Sequence, residues 1–224
     1  MPFDMEIDEY IEDYEFNKNK KCFILGTGPS LSKVDLSLLN NHTTIGVNLI
    51  LCSDFIPDYI CVSDREMIVD NYDKIIDDKM NDGKYFIVKP KDLNILNKLE
   101  KLKNVHLLDG FKEQGDIRKP YIDENLKKFS MTKNGVINDL AISVAIHLGF
   151  KEIYLIGVDG EHGSKTHFYD HNEVVVDSIV RADAEPITYE LLLPMLKNLG
   201  VNLYNCSPSN KHNELEYKKY EEVI

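Results

Sequence analysis

Residues 21–31, KCFILGTGPSL, decide how the rest of the chain is read. Cys22 to Leu25 form an apolar run with no polar residue inside it, the pattern of a strand buried on both faces. The run breaks off into Gly26-Thr27-Gly28-Pro29-Ser30, where two glycines allow a tight turn and a close approach of backbone to a ligand. Ser30 is placed to cap a short helix, with Asp35 in an early turn. A strand, a glycine-bearing turn and a helix together are how a parallel α/β sheet offers backbone N–H groups to a phosphate. The spacing is not the dinucleotide fingerprint, because the third glycine is missing and Pro29 removes one donor. A plain strand-to-helix turn with no ligand fits this stretch equally well, so the other strand ends have to decide.

Working outward, TTIGVNLI at 43–50 reads as a second strand ending near Asn48, and FIPDYICVS at 55–63 as a third that runs into Asp64-Arg65-Glu66. Strands finishing in polar residues mark the edge at which an open parallel sheet places its ligands, which makes Asp64 and Arg65 pocket candidates. Residues 67–84 are helix-like and charged, 85–88 a short strand, 93–103 a leucine-spaced helix and 105–108 a strand. Residues 109–128 show no clear period, a loop or a cover. Residues 136–148 carry the apolar spacing of a well-buried helix closed by Gly149, and 151–158, KEIYLIGV, is a second strongly apolar strand with Asp159 at its end. Strand, helix and strand in this order imply right-handed parallel crossovers. A further helix is expected over 188–199, kinked at Pro194 and closed by Gly200. A last strand at 201–204 then runs into small polar residues that include Ser207.

The loop 161–172, EHGSKTHFYDHN, carries the densest chemistry: His162, His167 and His171 beside Tyr169 and Asp170, directly after a strand end. Imidazoles there supply acid and base groups that titrate near neutral pH. Their spacing matches no strong metal signature, and a polar surface loop is the competing reading.

Composition narrows the class. The chain of 224 residues suits one α/β domain, and its net charge of −12 with no Lys/Arg block argues against a nucleic-acid-binding protein. Of four cysteines without a CxxC pair, three lie in or beside apolar runs and read as small buried hydrophobes in a reducing compartment, and no long apolar run is present. The expectation is a cytoplasmic protein with no transmembrane segment, leaving peripheral membrane contact and a homo-oligomer open. Its architecture is expected to be α/β and Rossmann-like, a mostly parallel sheet with helices on both faces. A single domain over 21–210 follows an amphipathic arm or helix at 1–20 and precedes a charged tail at 211–224.

Two segments carry a family resemblance: GTGPSL after the first strand, and GVINDLAISVAIHLGFKEIYLIGVD as a helix feeding a strand. They resemble the bacterial sialyltransferases of glycosyltransferase family 42. They also resemble the wider MptE-like group, which includes archaeal 6-hydroxymethylpterin diphosphokinases and motility-associated glycosyltransferases. The resemblance implies a donor site for a CMP-sugar that needs no metal cofactor. In it Gly26, Thr27, Gly28, Pro29 and Ser30 would form the donor-binding turn, Thr27 standing where the family has an Asn. Asn48 would approach the nucleotide, as would a turn containing Thr132, Asn134 and Gly135.

Glu161 and His167 fall where the family has two tyrosines that stabilise the departing phosphate, work that a protonated His167 could also do. The family's catalytic histidine lies in a lid, and the corresponding interval here, 173–186, holds none. The base would then be His162, His167 or His171. The expected function is therefore a nucleotide-sugar-dependent glycosyltransferase, sialyltransferase-like, with a nucleotide-sugar donor and a glycan acceptor as partners. Asp64, Asp159, Glu161 and Ser207 complete the expected donor pocket. The alternatives are a Mg²⁺-dependent diphosphokinase with Asp64 and Asp159 as metal ligands, and a non-catalytic nucleotide-binding protein.

Overall fold

In the computed structural model, the described residues are 20–70, 72, 84–109, 122, 135–160, 178–207 and 212–224; of these, the side chains of 51, 65, 66 and 178–187 are left aside. Eight strands form one sheet: β1 (Lys21–Leu25), β2 (Thr43–Val47), β3 (Tyr59–Val62), β4 (Lys84–Val88), β5 (Val105–Leu108), β6 (Glu152–Ile156), β7 (Asn202–Asn205) and β8 (Glu216–Tyr217). Their spatial order is β5-β4-β3-β2-β1-β6-β7-β8, and every pair is parallel. β1 lies between β2 and β6, with Leu25 opposite both Gly46 and Ile156.

The continuous apolar runs are explained by burial from both sides. Along β1, Cys22 and Ile24 face one core with Ile45, Val47, Cys61, Ile153 and Leu155, while Phe23 and Leu25 face another with Leu31, Leu39, Tyr154 and Ile156. The first core is covered by a π-helical segment (Val136–Ala141) that continues into α3 (Ile142–His147), and by α4 (Ser178–Asn198). Beyond β2, α1 (Arg65–Asp70) and α2 (Leu93–Leu99) cover Ile60, Val62, Tyr85 and Ile87. On the Phe23 face the rings of Phe23, Tyr154 and Tyr204 stack across three strands at 5.3 and 5.0 Å between centroids.

Several expectations are refined. The chain after β1 forms two short 3-10 turns, Pro29–Lys33 and Leu36–Leu39, where a short helix was expected, and the chain after β2 forms another, Asn48–Cys52. Ser30 lies inside the first of these turns, which Gly28 caps, and Asp35 caps the next by accepting from the Ser37 amide. The helix expected from 188 begins at Ser178 and runs through both Pro186 and Pro194. Burial of Tyr189, Leu192 and Leu196 against the core holds it despite the two missing donors. The stretch read as a charged tail contributes β8 and α5 (Tyr220–Val223). Tyr220 is buried there and donates to Asp35 O at 3.0 Å, and the Lys21 ammonium reaches Val223 O. The expected arm at 1–20 lies outside the described residues, apart from Lys20.

Candidate functional site

The strand order reverses between β1 and β6: the chain builds outward from β1 through β2 to β5, then crosses back to lay β6, β7 and β8 on the other side. In an open parallel sheet the crevice at such a reversal, at the carboxyl ends of the strands, is where ligands bind. Several candidates converge there. Gly26 to Ser30 leave β1, Asn48 leaves β2, Asp159 leaves β6 and Ser207 follows β7. Gly135 precedes the π-helical segment and α3, which run back to the amino end of β6, so it too lies on the carboxyl side of the sheet.

The glycine turn is locked to β6. Gly26 N donates to Ile156 O and Gly28 N to Gly157 O, each at 2.8 Å, and Ser30 N donates to Asp159 Oδ2 at 2.7 Å. A Cβ on Gly26 would sit 2.4 Å from Gly157 O, and one on Gly28 would sit 2.6 Å from both Gly157 O and Asp159 Oδ2. Both glycines are therefore required by contact between β1 and β6. This differs from the expected phosphate cradle, since the amides of Gly26, Gly28 and Ser30 are already bonded and Pro29 has none. Thr27 and Pro29 are partly exposed at the tip.

Among the described residues, Ser30 Oγ, Asn48 Oδ1, Asn138 Oδ1 and Asp159 Oδ1 are buried polar atoms that lack a hydrogen-bond partner. The parent residues Ser30, Asn138 and Asp159 are 2%, 4% and 3% exposed. Asn48 adds backbone strain, with φ at +46°, a left-handed conformation that few residues other than glycine adopt. Asn138 lies in a π-helical turn, a rare geometry that recurs at functional positions. An orphaned buried acceptor is costly, so each of these atoms calls for a donor beyond the described residues. Ser207, by contrast, is satisfied: its Oγ accepts from Val158 N and its own N donates to Asn205 Oδ1, both at 2.9 Å. It braces β7 against the exit of β6.

Asp64 does not join this group. It is exposed and caps α1, accepting from Met67 N at 3.1 Å. It follows β3, three strand spacings from Asp159, or about 14 Å. Ligand oxygens of one magnesium ion lie within about 2.1 Å of the metal, so Asp64 and Asp159 cannot share one. Among the described residues no group of three or more His, Cys, Asp or Glu could hold a metal ion. The expected residues Thr132, Asn134, Glu161, His162, His167, Tyr169 and His171 lie outside the described residues.

One residue was missed from the sequence. His212 is 3% exposed, its ring lies against Gly160, and it meets Tyr189 of α4 edge-on at 4.9 Å between centroids. A Cβ on Gly160 would fall 2.7 Å from His212 Cε1. Of the described histidines, His42 and His147 lie at the amino side of the sheet and His106 inside β5, which leaves His212 beside the carboxyl rim. Its contact with Gly160 spans the chain from β6 to the segment after β7, and no local spacing signals it.

A parallel α/β sheet whose strand order turns back in this way defines a Rossmann-like fold. The chain belongs to the MptE-like family, described as 6-hydroxymethylpterin diphosphokinase MptE-like, whose model matches residues 5–165. No curated protein matches the chain in sequence. Among solved structures, the chain is similar to the sialyltransferase CstII from Campylobacter jejuni in complex with the substrate analogue CMP-3FNeuAc. That match has a TM-score of 0.54, with 19% identity over 88% of this chain and 86% of CstII. The monofunctional α-2,3-sialyltransferase Cst-I of the same organism gives a TM-score of 0.58, with 16% identity over 88% of this chain and 80% of Cst-I. The MAf glycosyltransferase from Magnetospirillum magneticum AMB-1 gives 0.58 with 14% identity, over 93% of this chain but 35% of that larger one. At these identities the likeness is one of fold. No helix among the described residues is long and apolar enough to cross a membrane.

Proposed function

We propose that the chain is a nucleotide-sugar-dependent glycosyltransferase that uses a CMP-activated sugar and modifies a surface glycan or its precursor. The observation that carries this reading is the fold shared with CstII over most of both chains, CstII being seen in complex with CMP-3FNeuAc. The gathering of orphaned acceptors at the same strand ends supports it.

In this reading the Gly26 to Ser30 turn, Asn48, Asp159 and Ser207 frame the donor pocket, completed by Thr132, Asn134, Gly135 and Glu161. A histidine of the following loop, His167 first and then His162 or His171, takes the proton of the acceptor hydroxyl, and Tyr169 is a further catalytic candidate. The acceptor oxygen bonds to the anomeric carbon as the bond to the donor phosphate breaks, and CMP leaves with that electron pair. The reaction requires no metal. Its stage is the cytoplasm, and the protein works on glycan and nucleotide-sugar rather than nucleic acid.

A second reading is favoured by the family match itself: a Mg²⁺-dependent transfer of diphosphate to a small alcohol. There, positioning and charge neutralisation would supply most of the catalysis. Since Asp64 and Asp159 cannot share an ion, that reading needs ligands other than this pair.

A thermal-shift screen of CMP, CDP, UDP, ATP and GDP, each with and without Mg²⁺, separates them. A ligand at 100 times its Kd stabilises by about 2.7 kcal/mol, or about 5–10 °C in a chain of this size. A shift with CMP that ignores Mg²⁺ supports the glycosyltransferase. A shift confined to ATP with Mg²⁺ overturns it in favour of the diphosphokinase, and CMP binding without transfer to any acceptor leaves a non-catalytic binder.

A further inference from the structure

Asp159 follows β6 at the point where the strand order reverses and is 3% exposed. One of its oxygens takes the Ser30 amide at 2.7 Å, while the other, Oδ1, is buried with no hydrogen-bond partner among the described residues. Ser30 Oγ is likewise buried and unsatisfied. The Asp159 carboxylate therefore stands at the amino end of the 3-10 turn Pro29–Lys33, where a phosphate would be expected, and the turn's amides at Gly26, Gly28 and Ser30 are spent on the protein. Among the described residues no cation lies within ion-pair distance of Asp159 to offset its charge. A dianionic phosphate placed there would meet a fixed negative charge in a poorly solvated site.

The unfilled capacity is instead an acceptor, Oδ1, together with the hydroxyl of the residue whose amide the same carboxylate holds, a group that can both donate and accept. Neighbouring hydroxyls, on a ribose ring or on the polyol side chain of a carried sugar, present the complementary pattern, one donating to the carboxylate and one exchanging a hydrogen bond with Ser30 Oγ.

From this pairing we infer that Asp159 and Ser30 form a diol-recognition subsite, and that the glycine-bearing turn reads hydroxyl groups of the ligand while its phosphate lies elsewhere on the rim. The inference rests on the reading of the pocket as a nucleotide-sugar site. The diol has two sources, the ribose of the nucleotide or the sugar it carries, and the experiment tells them apart.

Isothermal titration of CMP, 2′,3′-dideoxy-CMP and CMP-N-acetylneuraminic acid is compared for the wild type, Asp159→Asn and Ser30→Ala. Asp159→Asn keeps an acceptor for the Ser30 amide but turns a donor toward the diol. Ser30→Ala removes a hydroxyl that has no partner among the described residues, so its fold is retained even if the first variant fails to fold.

Losing a hydrogen bond to a charged acceptor weakens binding about 10- to 100-fold. If the ribose is read, the dideoxy nucleotide binds the wild type weaker than CMP by about that factor, and the gap closes in both variants. If the carried sugar is read, CMP binding is unchanged by the substitutions, whereas CMP-N-acetylneuraminic acid loses its advantage over CMP. Equal affinities across the three proteins for all three ligands overturn the subsite while leaving the nucleotide site standing; they would mean that an ordered water satisfies both atoms. No binding of any ligand to the wild type overturns the glycosyltransferase reading and the subsite with it.

Discussion

Gly26→Ala tests the junction on which the site depends. A methyl group on Gly26 would lie 2.4 Å from Gly157 O and 3.0 Å from Gly157 C and from Val158 Cγ2. The first contact is roughly 1 Å short of an ordinary carbon–oxygen approach. Two of the three atoms are backbone, so no side-chain rotation relieves the clash and the ends of β1 and β6 have to part. Parting them lengthens the bonds from Gly26 N to Ile156 O and from Gly28 N to Gly157 O, both 2.8 Å. Overpacking contributes about 1–3 kcal/mol and one weakened backbone hydrogen bond about 1 kcal/mol, for a loss of about 2–4 kcal/mol. In a chain of this length that lowers Tm by about 4–16 °C.

Gly200→Ala is the control, because a Cβ there has nothing within 4 Å and meets only the +67° φ angle, worth about 1–2 kcal/mol. Urea unfolding of both variants provides the measurement. A Gly26→Ala protein no less stable than Gly200→Ala would refute the claim that contact between β1 and β6, rather than turn flexibility, dictates the glycine.

Three further expectations follow from the same geometry. Asn48 holds φ at +46°, so Asn48→Gly should unfold within about 0.5 kcal/mol of wild type while Asn48→Ala loses about 1 kcal/mol; the strain argument fails if the two are equally stable. Cys22, Cys61 and Cys206 are buried, and burial pushes their thiols up, that of Cys206 to about 12, whereas Cys52 is exposed. A thiol reagent should thus label Cys52 rapidly and the others only on unfolding, a pattern that prompt labelling of Cys22 or Cys61 would contradict. Burial first, and nearby Asp35 second, raise the Tyr220 phenol to about 12 from its ordinary value of about 10. Its stabilising contribution is complete below pH 10 and is lost between pH 10 and 12, where the unfolded chain ionises and the folded one does not. Tyr220→Phe should lose about 1 kcal/mol at pH 8 with the bond to Asp35 O, yet decline less steeply with rising pH, as urea melts across that range would show.

Strands buried on both faces were the most legible part of the sequence, because runs such as CFIL and YLI have no polar interruption and cannot lie at a surface. The helix around 136–148 was legible from its apolar spacing, but its π-helical opening was not, since a wider turn leaves the hydrophobic pattern of six residues almost unchanged. β8 escaped notice because Glu216 and Tyr217 are both exposed; the strand is held by backbone pairing with Tyr204 and Asn205, which side-chain pattern does not encode. The glycine turn was placed correctly at a strand end, yet its partner was hidden: Ser30 and Asp159 are 129 positions apart, and nothing local says that a carboxylate takes the Ser30 amide. His212 was invisible for the same reason. Its neighbours Gly160 and Tyr189 come from other elements, and its surroundings in sequence read only as charged.

The most direct measurement is hydrogen–deuterium exchange with and without saturating CMP, in the absence of Mg²⁺. The account predicts slower exchange in peptides covering the ends of β1, β2 and β6, around Gly26 to Ser30, Asn48 and Asp159, with the amino ends of the same strands unchanged. Protection placed elsewhere, or none at saturation, would contradict it.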